Sequence, residues 1–90
     1  MLVARRFRIG GRVQGVGFRY FTEAAAAREG ICGWVRNTPD GGVEIVAEGD
    51  AEAVERFERR ISHGPPHARV DRVDVDELVP TGQETGFTVR

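Results

Sequence analysis

Nine residues, Gly11-Arg12-Val13-Gln14-Gly15-Val16-Gly17-Phe18-Arg19, restrict the possible folds of this chain more than any other stretch. An alternating segment leads into them, with Val3, Phe7 and Ile9 set against Arg6 and Arg8, as in a strand with one buried face and one wet, positively charged face. The same alternation carries Gly11 and Val13 inward. A run of helix formers from Phe18 to Glu29 leads out of them, with Phe18, Phe21, Ala25 and Ala24 available for one apolar stripe and Gly30 as the expected stop. A strand therefore passes into a helix through glycines, and the junction has no Ser, Thr, Asp or Asn where a cap would stand. Gly15 and Gly17 can take positive φ cheaply, so that backbone N–H groups converge near a helix start whose first donors lack partners. Such a junction suits a bound anion, with Arg19 adding a positive fork; the plainer alternative is a tight turn in which Gln14 serves as a makeshift cap.

The remaining elements follow in order. Ile31 to Asn37 reads as a second strand, with Ile31, Gly33 and Val35 alternating against Cys32, Trp34 and Arg36. Thr38-Pro39-Asp40-Gly41-Gly42 is hairpin-turn chemistry, since Pro fixes one φ and the glycines supply positive ones. Val43 to Glu48 makes a third strand, with Val43, Ile45 and Ala47 on one face and Glu44 and Glu48 on the other. Asp50 is placed to cap a second helix bearing Val54, Phe57 and Ile61, which His63-Gly64-Pro65-Pro66 ends. Val70, Val73 and Val75 mark a fourth strand whose alternation slips once, as a β-bulge causes. A loop at Pro80 to Glu84 precedes a short closing strand around Phe87 and Val89. This succession suits an α+β, ferredoxin-like sandwich: βαββαβ, a mostly antiparallel sheet, both helices on one face and a short extra C-terminal strand.

In that arrangement the first two strands run the same way and end at the same end of the sheet. With the third strand between them, two strand spacings separate the glycine loop from the end of strand two by about 10 Å. Asn37 stands at that end, the one neutral polar residue in an otherwise apolar alternation. It either starts the hairpin turn by bonding its own backbone or faces the glycine loop for a reason of its own.

Composition removes several classes of function. With 40% hydrophobic and 30% charged residues, the 90 residues are expected to form one domain spanning residues 1–90, whose core is small because a chain this size buries only about three fifths of its unfolded surface. A formal net charge of -1 gives no global attraction to nucleic acid or anionic membrane. All 13 basic residues are Arg, a bias with no functional assignment. A single cysteine, Cys32, excludes an internal disulfide or a cysteine-based metal cluster and fits a reducing compartment. No charged leader and no apolar segment of membrane-spanning length stands in the sequence, so a cytoplasmic location is expected.

The glycine motif ending in Arg19, followed by Gly33-Trp34-Val35-Arg36-Asn37, Asp40-Gly41 and Val43-Glu44, resembles the acylphosphatase family, and the resemblance extends to Phe87-Thr88-Val89-Arg90. It implies the ferredoxin-like sandwich and hydrolysis of the carboxyl-phosphate bond in small acyl phosphates, without metal or organic cofactor. It implies that Gln14, Gly15, Val16, Gly17, Phe18 and Arg19 hold the substrate phosphate and that Asn37 orients the attacking water, making Arg19 and Asn37 the catalytic pair. A monomer acting on a small molecule, with no nucleic-acid or membrane partner, is the corresponding expectation. The alternative is a non-catalytic ferredoxin-like module that binds an anion or RNA, for which Arg6, Arg8 and Arg12 on an open sheet face would serve. A stand-alone relative of the similar module in larger carbamoyl-transfer proteins is a third reading, although 90 residues leave no room for their additional domains.

Other candidates read as structure. His63 and His67 flank a Gly-Pro-Pro loop without an accompanying ligand cluster, and Asp71, Asp74, Asp76 and Glu77 lack the spacing of a calcium loop. Cys32 is expected to pack as a small side chain, and the alternation leaves Trp34 either partly buried or exposed on the open face.

Overall fold

A computed structural model describes residues 1–82 and 85–90. Its elements are β1 (Leu2–Arg12), α1 (Phe18–Glu29), β2 (Cys32–Asn37), β3 (Val43–Asp50), α2 (Ala51–His63), β4 (Arg69–Leu78) and β5 (Phe87–Val89). The sheet order is β4-β1-β3-β2-β5, in which β5 pairs parallel to β2 and every other pair is antiparallel. Both helices pack on one face of this sheet, and the result is the expected ferredoxin-like sandwich with its extra strand.

The alternations of the sequence sort the side chains between the two faces. Phe7 and Ile9 of β1, Val35 of β2, and Val43, Ile45 and Ala47 of β3 are buried under the helices with Val54, Phe57 and Ile61 of α2. The Phe57 ring lies between Phe7 and Phe87, each centroid 6.1 Å away, which ties the closing strand to the core. On the other face β1 and β4 exchange charges. Arg6 reaches Asp76 at 3.2 Å, and the acidic residues Asp71, Asp74, Asp76 and Glu77 are all exposed. The slip in β4 is a bulge: Gly10 pairs with Arg72 and Gly11 with Val70, leaving Asp71 as the extra residue.

Local departures have local causes. β2 begins at Cys32 rather than Ile31, because the Ile31 N–H is taken by the Ala26 carbonyl at the end of α1, where Gly30 adopts the left-handed conformation. The buried stripe of α1 is Phe18, Thr22, Ala25 and Ala26, with Phe21 half-buried and Ala24 exposed. Thr22 tolerates full burial because its hydroxyl donates to the Phe18 carbonyl at 2.9 Å. β3 continues to Asp50, paired with Leu2. Of the loop expected at Pro80 to Glu84, residues 83 and 84 lie outside the described residues. Thr81 and Gly82 donate their N–H groups to the Glu48 carboxylate, which explains an acid only 7% exposed on the open face.

Candidate active site

The two helices start in opposite ways. At α2, Asp50 has an extended backbone and accepts a hydrogen bond from the Glu52 N–H, and Glu52 adds negative charge to the first turn. At α1, the N-cap position is Gly17, in the left-handed conformation with φ 79°, with no side-chain cap bond and no acid in the first turn. Phe21 is the first residue whose N–H finds a helical acceptor, the Gly17 carbonyl at 3.0 Å. Among the described residues the amides of Phe18, Arg19 and Tyr20 are therefore the unmatched donors of this helix, at the positive end of its dipole. Gly15 has φ 74°, and a Cβ added at Gly15 or Gly17 would meet nothing within 4 Å. Backbone conformation rather than space is what requires glycine there.

The makeshift cap is not formed. The Gln14 side-chain amide turns away from the helix and donates to the carbonyls of Thr38 at 2.8 Å and Gly42 at 2.9 Å. Both of its hydrogens are committed, so any contact of Gln14 with an anion falls to its backbone. Its side chain joins the glycine loop to the β2–β3 turn, and Asn37 immediately precedes that turn. Gln14→Ala is expected to lower stability by about 1–2 kcal/mol, for two net hydrogen bonds, and to slow turnover through misplacement of the loop. A denaturant titration beside a rate measurement checks both.

Asn37 and Ile9 both stand opposite Val43, so the end of β2 is level with the last core residue of β1, two strand spacings away. By alternation with Val35, Asn37 is on the helix-bearing face, the face on which α1 begins. It is half-buried and its side chain has no hydrogen-bond partner among the described residues. The turn it precedes is closed by others. Thr38 accepts at Oγ1 from the Gly42 N–H at 3.0 Å and donates the same hydroxyl to Asp40, and the Thr38 N–H bonds the Gly42 carbonyl at 3.0 Å. The bond from Thr38, followed by that from the Gly42 N–H, holds the Asp40 carboxyl below the ordinary carboxylate range. Asp40 thus adds to the closure of a turn that the two Thr38–Gly42 bonds also hold, and its contribution weakens as pH falls through that lowered value.

Arg19 is half-buried and donates from Nη1 to the main-chain oxygen of Arg90 at 2.9 Å. One donor holds the guanidinium in place, and the remaining donors of the fork have no partner among the described residues. Arg90 is itself fixed, its N–H bonded to Val35 and its guanidinium 4.5 Å over the Trp34 ring. Trp34 is half-buried on the open face, which resolves its placement. The sequence gives no sign of the Arg19–Arg90 contact, because the two residues are 71 apart and the acceptor is main chain. Gln14 carried more of a signal, as a lone amide between hydrophobic and glycine residues.

The histidines at 63 and 67 are exposed, and among the described residues no group of three or more His, Cys, Asp or Glu is placed to hold a metal ion. The donor set at the candidate site is one guanidinium, one carboxamide and backbone amides, which suits an anion and not a cation. Among the described residues no helix is long and apolar enough to cross a membrane.

Residues 5–89 match the family model described as Acylphosphatase. A curated Acylphosphatase of Rubrobacter xylanophilus is 53% identical over 85 residues, covering 94% of this chain and 77% of the relative. The crystal structure of acylphosphatase from Bacillus subtilis superposes with a TM-score of 0.94 at 39% identity, covering 100% of this chain and 99% of that one. A structure of full-length HypF in a phosphate- and nucleotide-bound form matches with a TM-score of 0.90 at 34% identity, covering all of this chain but only 12% of that protein.

Proposed function

The chain belongs to the acylphosphatase family, and from this we propose that it hydrolyses small acyl phosphates to carboxylate and inorganic phosphate. The reaction runs at the glycine loop through Arg19 and Asn37. The observation that carries the mechanism is the start of α1, uncapped and free of acid beside an arginine with donors to spare, in a molecule whose other helix is capped by Asp50.

The substrate phosphoryl group sits against the amides from Gln14 to Arg19, with the Arg19 guanidinium on its oxygens. Asn37 holds a water on the sheet side through its carboxamide. The water oxygen attacks phosphorus in line, the bond from phosphorus to the acyl oxygen breaks, and its electron pair leaves on the carboxylate. A carboxylate leaves without protonation, so no general acid is required. The carboxamide is no base, so the water's proton passes to a phosphoryl oxygen and departs with inorganic phosphate. Positioning and charge stabilisation are the protein's whole contribution.

Two observations favour hydrolysis over an RNA-binding reading of the same fold. The Trp34 face is covered by Arg90, and β3 presents Glu44 and Glu48 to the open face where a base-stacking platform would place aromatics.

The test is to mix the protein with acetyl phosphate in the presence of EDTA and follow phosphate release across pH 5 to 8. Turnover insensitive to EDTA is expected. Absence of turnover in folded protein would defeat the enzyme reading. Inhibition by EDTA would defeat the metal-free chemistry.

A further inference from the structure

Resting on the hydrolase reading above, we infer that the groove between α1 and β5 receives the acyl group of the substrate, and that the enzyme prefers apolar acyl groups long enough to fill it. The groove has a volume of about 610 Å³, within the range of small-molecule sites. Its walls include Tyr20, Ala24 and Ala27 of α1 and, across from them, Ile31, Cys32 and Phe87. Positions 20, 24 and 27 share one side of a helix, and the two alanines give the groove its depth, since larger side chains there would fill it.

Three features connect this groove to the phosphate seat. Tyr20, 67% exposed and not needed by the core, adjoins Arg19 in the first turn of α1. The Arg19 guanidinium rests on the main-chain oxygen of Arg90, the residue that follows β5, so the seat and the groove lie along the same boundary between helix and strand. In-line displacement supplies the third. With water delivered from Asn37, in-line geometry sends the leaving carboxylate off the face of phosphorus opposite Asn37, and on the present proposal that exit leads to Tyr20. From Tyr20 to Gly30 the helix rises by roughly 15 Å, room for an extended alkyl chain. Glu23, half-buried on the same wall, sets a negative charge against any acyl group carrying a second carboxylate.

The experiment compares kcat/KM for acetyl phosphate and octanoyl phosphate. The wild-type protein should favour octanoyl phosphate by at least about tenfold, chiefly through KM. Ala27→Trp fills the groove from an exposed helical position and should erase the preference while leaving acetyl phosphate turnover unchanged. Ala24→Leu, a smaller change on the same wall, should reduce it. Equal kcat/KM for the two substrates in the wild type, or a preference that survives both substitutions, overturns the inference. Failure to turn over acetyl phosphate in the folded wild type would instead overturn the hydrolase reading beneath it.

Discussion

Replacing Arg19 with alanine should lower kcat/KM for an acyl phosphate by about a thousandfold or more, and should also abolish inhibition by inorganic phosphate. Removing a single neutral oxyanion donor typically costs ~10²–10³ in kcat. Arg19 is a charged, multidentate donor whose contacts are about twice as strong as neutral ones, and in the proposed mechanism it meets the phosphoryl group both before and during transfer. Loss in KM as well as kcat follows from that dual contact. The side chain ties down only the Arg90 main-chain oxygen among the described residues and is half-buried, so stability should fall by no more than about 1–3 kcal/mol. A thermal melt with and without phosphate separates the two effects. Phosphate at about 100 times its dissociation constant stabilises a binding-competent protein by roughly 2.7 kcal/mol, and the variant should show no such rise. A variant that kept both phosphate stabilisation and turnover would remove Arg19 from the site.

Asn37→Ala should give the complementary result, with kcat lowered by about 10²–10³ and phosphate affinity nearly unchanged. In the proposed mechanism the carboxamide orients water, and water must be placed only for the chemical step, so its loss should appear in kcat rather than in ground-state binding. The fold should tolerate the change, because the side chain is bonded to nothing among the described residues and the turn after it is closed by Thr38, Asp40 and Gly42. Wild-type turnover in this variant would show that the water is held by something else. Arg19→Ala and Asn37→Ala thus differ in whether phosphate still binds, and that difference separates a phosphate seat from a water site.

Much of this arrangement is written in short-range patterns. The alternation of Val3, Phe7 and Ile9 against Arg6 and Arg8, Gly30 as a helix stop, Asp50 as a cap and the slip between Val70 and Val73 each follow from residues a few positions apart, and each stands where expected in the fold. The level placement of Asn37 beside the loop follows from topology, since parallel strands flanking a third must end at the same end of the sheet. What local patterns do not contain is the set of fastenings made across the fold. Gln14 bonds carbonyls 24 and 28 residues away, and Arg19 bonds one 71 residues away. Main-chain acceptors leave no trace in residue identity. The buried stripe of α1 departs from the apolar pattern for a related reason, because Thr22 is polar by type and becomes a core residue only once its hydroxyl bonds the Phe18 carbonyl. The roles proposed for Arg19 and Asn37 rest on the family motif, which the loop residues alone do not supply.

The most direct test of the site is a single turnover in heavy-oxygen water followed by mass analysis of both products. Attack by an Asn37-held water on phosphorus predicts that the label enters inorganic phosphate and that the carboxylate keeps its original oxygens. Label in the carboxylate would mean attack at the acyl carbon, and would contradict a mechanism built on a phosphoryl group held by the glycine loop and Arg19.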